Sequence, residues 1–234
     1  GQLSTIRLAE ALLDPEAELR CNALRIAEAH FQDDPGLAAV VAGLVRDPAP
    51  AVRLQLALSL GAAEGPAAAH ALAALLTEGL TDPRLLAASA SSLAPALLAP
   101  VIGELLGAGA ELDRELARLL ITLATMRRDG SAIGALLPAL EAEHAAARFE
   151  LFGAYFDAGQ RSGQSFFELV EALGSSGREL IGPTIELARA LAESATREST
   201  RIEALVVLAR DPKLLEWDID ILCRLLSPET PLGL

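Results

Sequence analysis

Aromatic residues are scarce in this chain: they make up 3% of its 234 residues, with a single Trp and a single Tyr. A β-sandwich would draw on aromatic and β-branched residues. No stretch alternates apolar and polar side chains for long, so no strand is expected. Cysteine is nearly absent as well. Cys21 and Cys223 lie far apart, each in an apolar helical context without metal-type spacing, and both are expected to be buried free thiols. The three histidines, His30, His70 and His144, are too dispersed to supply the converging ligands a metal needs. The serines show no nucleophile-elbow pattern, and no glycine follows a strand as a phosphate-binding loop requires. No catalytic residue, metal or cofactor is therefore expected within this chain. Long apolar runs are missing too. The longest uncharged stretch, Leu85 to Gly103, holds Pro95, Pro100 and three serines, breaks into two helices and is not expected to enter a membrane.

Positive charge is also short. Nineteen Lys and Arg stand against 32 Asp and Glu, a net charge of −13 that repels phosphate backbones and argues against nucleic-acid binding. No secretory signal is present, and Gly1 stands where an initiator Met would. That points to a segment excised from a larger protein and leaves the compartment unknown.

What the chain does have is Ala and Leu, with 52% hydrophobic residues overall. This composition favours many closely packed helices. Their starts are written as Asp-Pro or Gly-Pro: Asp14-Pro15, Asp34-Pro35, Asp47-Pro48, Gly65-Pro66, Asp82-Pro83 and Asp211-Pro212. The clearest copy is Asp47 to Gly61, with Asp47 as cap, a proline in the first turn and Gly61 as a left-handed exit. Asp14 to Asp47 is 33 residues and Asp47 to Asp82 is 35, and each interval has room for two helices. A helix pair repeating at that period is the signature of an α-solenoid.

The expected fold is thus all-α, an α-α superhelix of six to seven helix pairs and right-handed. It is read as one domain over residues 1–234, with regular repeats over about 1–94 and degenerate ones over about 95–234. Arg20 and Arg53 both fall six residues after an Asp. This spacing predicts a structural ladder of Asp14, Arg20, Asp47 and Arg53, in which an Arg of one repeat reaches the Asp of its neighbour. The apolar face of the second helix is expected to carry Leu19, Ala23, Ile26 and Ala27. Met126 is expected to face inward on a later helix. The tail Ser227 to Leu232 again reads as a repeat turn.

Asp-Pro-x-x-x-Val/Leu-Arg at a helix-pair turn resembles HEAT repeats. The longer strings DPAPAVRLQLALSLG, ALAALL, TDPRLLAASASSL and LLSPETP are more specific. They resemble the HEAT-repeat segment of the very large membrane-bound dehydrogenases of planctomycetes and their relatives. That resemblance implies a β-propeller before the segment, a cytochrome c-type domain after it, and an exported, periplasm-like setting. The Cys-x-x-Cys-His that would hold haem is not in this chain, and neither is the propeller.

The functional expectation is a non-catalytic scaffold that spaces neighbouring domains or presents a surface to a protein partner. The second helix of each pair should line that surface, with Arg25 and Gln55 as candidate partner-binding residues. Phe149, Phe152, Tyr155 and Phe156 fall on one helical stripe. They are either core filling or the anchors of a groove, and Tyr155 is the third candidate partner residue. The alternatives are an enzyme on a HEAT-like scaffold, such as a DNA glycosylase or a lyase, and a free-standing peptide-binding adaptor. A glycosylase would want a basic concave face, which the net charge opposes.

Overall fold

The computed structural model describes residues 5–32, 34–107, 112–195 and 197–225. Among them the chain is all-helical, with no strand. The tail reading at Ser227 to Leu232 lies outside the described residues, as does Leu3 of the first expected helix. The helices group into two compact units, residues 1–110 and 111–234.

The first unit holds α1 (Thr5–Ala11), α2 (Ala17–Glu28), α3 (Pro35–Ala42), α4 (Pro50–Ser59), α5 (Pro66–Gly79), α6 (Pro83–Ser91) and α7 (Pro95–Gly107). Five of these begin on a proline, whose fixed φ suits the first helical position and whose missing N–H costs nothing there. The odd-numbered helices α1, α3, α5 and α7 pack on one another in series, and so do α2, α4 and α6. Helix α7 belongs here because it packs on α5. Helix α5 is apolar almost all round, with Ala68, Ala69, Ala71, Leu72, Ala73, Leu75 and Leu76 buried, because α3, α6 and α7 all contact it. Its alanines allow close approach. At its end a Cβ on Gly79 would lie 2.7 Å from the Leu86 backbone nitrogen.

The second unit holds α8 (Arg114–Met126), α9 (Gly130–Ala142), α10 (Ala145–Arg161), α11 (Phe166–Ala172), α12 (Gly174–Ser194), α13 (Glu198–Leu205) and α14 (Leu215–Leu225). Here α8, α10 and α13 pack in series, as do α9, α12 and α14. Helix α10 is central, contacting α8, α9, α11, α12 and α13. Asp113 and Asp129 cap α8 and α9 by accepting from the amides of Glu115 and Ala132, and Ser165 with Glu168 forms a capping box on α11. The Ser165 amide and hydroxyl hold the Glu168 carboxyl below its usual range.

Several positions differ from their expected places. On α2 the buried face is Arg20, Ala23, Leu24 and Ala27, whereas Leu19 and Ile26 are 49% and 40% exposed. An arginine displaces them because its guanidinium has buried partners. Met126 is exposed at the end of α8, whose inner face is Leu116, Ala117, Leu120, Ile121 and Ala124. Cys223 is exposed and Cys21 half-buried, so neither is the buried thiol expected. Gly61 is not among the positive-φ glycines, which are Gly65, Gly163 and Gly174 in the described residues. Gly61 matters through space instead: a Cβ there would lie 3.1 Å from Ser92 Cα.

Candidate functional site

The predicted ladder is built from turns that precede α2 and α4. In both, the Asp sits three residues before the helix starts and its Oδ1 accepts from the amide two residues on, Glu16 after Asp14 and Ala49 after Asp47. The arginine six residues later lies in the first turns of the helix. Helical side chains lean toward the N-terminus, so its guanidinium folds back over the turn. Arg20 Nη1 donates to the carbonyl of Asp14 at 2.7 Å, and Arg53 Nη1 donates to that of Asp47 at 2.6 Å.

The rest of the Arg20 guanidinium reaches forward. Nε and Nη2 donate to the two carboxylate oxygens of Asp47, both at 2.8 Å, in a bidentate pair. Arg20 is 8% exposed and Asp47 7%. Burial is the strongest single influence on Asp47 and opposes its ionisation. The Arg20 hydrogen bonds, the Ala49 amide and the charges of Arg20 and Arg53 together outweigh it and hold the carboxyl below its ordinary range. The Asp47 hydrogen bond in turn keeps Arg20 more firmly protonated.

The next rung takes a different acceptor. Arg53 Nε donates to Glu78 Oε1 at 2.8 Å, near the end of α5. Asp82 caps α6 through the amides of Arg84 and Leu85. Asp14 contributes its backbone carbonyl to Arg20, and its carboxylate serves the local turn.

Arg25 and Gln55, both candidate partner residues, come together across α2 and α4. Arg25 Nε donates to Gln55 Oε1 at 3.0 Å, and its Nη1 donates to Asn22 Oδ1 at 3.1 Å. Gln55 Nε2 donates to Ser59 Oγ at 3.2 Å, and the fully buried Ser59 hydroxyl donates to Glu28 Oε1 at 2.6 Å. The result is one polar seam, wet at Arg25 and dry at Ser59. Tyr155 is placed elsewhere and corrects its reading as a partner anchor. It is 1% exposed on α10, and its hydroxyl donates to the Leu169 carbonyl at 2.7 Å. Burial pushes its phenol pKa upward. Phe149, Phe152 and Phe156 are buried alongside it, so this stripe is core.

A second buried pair lies in the second unit. Arg189 Nε on α12 donates to Asp218 Oδ1 on α14 at 2.6 Å, and the Ala209 amide donates to Asp218 Oδ2 at 2.8 Å. Asp-Pro spacing gives no hint of this pair, but the helical pattern does. Arg189 interrupts the apolar face of Ile181, Ile185, Ala188 and Ala192, as Arg20 interrupts that of α2. A charge inside an apolar stripe calls for a buried partner.

The second unit also carries a groove of about 350 Å³ over α10, between α8 and α13. Ala146, Gly153 and Ala154 form a floor of small residues. Arg114 and Arg118 stand on the α8 wall, with Ile202 and Glu203 on the α13 wall and Val206 just past its end. Glu150 lies 3.9 Å from Arg114, and Asp157 pairs with Arg210 at 2.7 Å. Among the described residues no helix is long and apolar enough to cross a membrane.

Comparison with known protein families, with curated proteins and with solved structures returned no match.

Proposed function

We propose that this chain is a non-catalytic α-solenoid of the HEAT type, acting as a scaffold between neighbouring domains or toward a protein partner. The observation that carries this reading is a recurring interval. Side-chain hydrogen bonds from a helix to the next helix or its entry turn join residues 27 apart at Arg20 and Asp47, 30 at Arg25 and Gln55, 31 at Ser59 and Glu28, and 25 at Arg53 and Glu78. They join residues 34 apart at His70 and Glu104, 29 at Arg189 and Asp218, and 31 at Arg224 and Glu193. An interval near 30 in both units is what stacked helix pairs produce, each touching the next. It also assigns the most buried charges to holding pairs together.

The quoted strings support a more specific setting, a parent oxidoreductase in which this segment links a dehydrogenase-like propeller to a cytochrome c-type domain. The open reading frame is the first test: flanks without a propeller or a Cys-x-x-Cys-His motif overturn that setting. The second replaces residues 5–225 of the parent by a flexible linker. Loss of electron transfer from substrate to haem, with both flanking domains still folded, is the expected result. Unchanged transfer refutes a spacing role.

A further inference from the structure

The groove over α10 has a charge pattern that says more about its occupant than its size does. Two of its carboxylates have basic neighbours: Glu150 near Arg114 and Asp157 with Arg210. Arg118 on α8 and Glu203 on α13 remain as opposed charges on facing walls, both exposed. On the Glu203 side Ile202 and Val206, each 40% exposed, add aliphatic surface. On the floor Ala146 and Ala154 extend no further than a Cβ, while Gly153 lies against Val206, whose side chain a Cβ there would meet at 3.3 Å. A volume of about 350 Å³ is at the small end of ligand sites, enough for a few side chains rather than a whole helix.

We propose that this groove docks a short dipolar peptide segment of a partner protein. An anionic side chain meets Arg118, an aliphatic side chain lies on Ile202 and Val206, and a cationic side chain meets Glu203. The proposal deepens the interaction reading above by naming the partner's chemistry. Its failure would leave the spacing role, judged by linker replacement, untouched.

The test uses the whole chain labelled with ¹⁵N and three blocked peptides that share a central Leu, flanked by Glu and Lys, by two Glu, or by two Lys. The Glu-Leu-Lys peptide is expected to shift the amides of Arg118, Gly153 and Val206 in a saturable way, and more tightly than either uniformly charged peptide. Arg118→Glu and Glu203→Lys should each weaken it by about tenfold, the equivalent of one lost charge contact. The double variant R118E/E203K should recover binding, because it restores opposed charges with the peptide reversed. Both positions are exposed, so the variants keep the fold, which the spectrum of α10 verifies. The proposal is overturned if a uniformly charged peptide binds as tightly, if the double variant fails to recover, or if no groove amide shifts.

Discussion

Replacing Asp47 by Ala isolates the buried bidentate contact between α2 and the turn before α4. The carboxylate receives two charge-assisted bonds from Arg20 and one from the Ala49 amide. Removing it leaves the Arg20 guanidinium buried, with its Nη1 bonds to the carbonyls of Asp14 and Pro15 intact and its Nε and Nη2 unpaired. Stranding one partner of a buried ion pair costs about 3–5 kcal/mol. The retained Nη1 bonds argue for the lower half of that range, and the lost Ala49 bond adds about 1 kcal/mol. The loss should therefore be about 4 kcal/mol.

The readout must separate the two units. Trp217 and Tyr155, the only Trp and Tyr, lie in the second, so intrinsic fluorescence is blind to the first. Hydrogen exchange resolved by peptide is the suitable assay, with the α2 and α4 amides losing protection by the amount above. The double variant R20M/D47A should recover much of the loss, because an apolar stem replaces a stranded charge. A loss below about 1 kcal/mol in α2 and α4, the level of an exposed pair, would refute the argument. So would a double variant no better than the single one.

Acid should reproduce part of this effect. The folded-state pKa of Asp47 lies below its ordinary value, so its contribution is full above about pH 4 and is lost as pH falls through the lowered folded value. Exchange protection of α2 and α4 in D47A should accordingly depend less on pH in that window than in the unaltered chain. Tyr155→Phe removes only the bond to the Leu169 carbonyl and should cost about 1 kcal/mol, whereas Tyr155→Ala opens a cavity and should cost about 3–5 kcal/mol, both read from urea midpoints of Trp217 fluorescence. Gly79→Ala puts a methyl against the Leu86 backbone and should lower exchange protection of α5 and α6 by about 1–3 kcal/mol. Arg25→Ala, at an exposed end of its seam, should change stability by less than about 1 kcal/mol, a contrast with Arg189→Ala, which strands Asp218.

How far the sequence could be read depended on which force decided each feature. Helix starts were legible because proline and Asp act locally, and most helices begin within a few residues of their signals. Helix faces were less so. Leu19 and Ile26 look like core by hydropathy, yet the buried face turns toward Arg20, whose partner Asp47 is 27 residues away. Cys223 and Met126 came out exposed because hydropathy alone cannot tell which side of α14 or α8 meets a neighbour. The groove was not legible at all. It depends on how α8 and α13 pack against α10, and residue types on any one of them do not carry that information.

The Asp-Pro dipeptide shows how a local signal can stand for two different structures. At Asp34-Pro35 and Asp82-Pro83 the helix begins on the proline, and the Asp caps it. At Asp14-Pro15 and Asp47-Pro48 the helix begins three residues after the Asp, which leaves that carboxylate free of the capping position. At these four sites the sixth residue on separates the two cases. In the offset turns it is Arg20 or Arg53, the fourth residue of its helix, near enough for its guanidinium to return to the turn. In the capping turns it is Val40 or Ala88, well into the helix, where a guanidinium could not reach back as easily. The offset thus decides what the Asp is for. Asp47, which does not cap its own helix, turns its carboxylate toward Arg20 while still accepting from the Ala49 amide. By this argument the Asp and the Arg six residues on belong to two different contacts. The Arg clamps its own turn and looks forward, while the Asp receives the Arg from behind. The Asp14 carboxylate accepts from the Glu16 amide, as that of Asp47 does from the Ala49 amide. Moving the acceptor tests this directly: lengthening the turn by one residue between Pro48 and Ala49 should displace Arg53 from the Asp47 carbonyl, while the Arg20 pair, fixed before the insertion, persists.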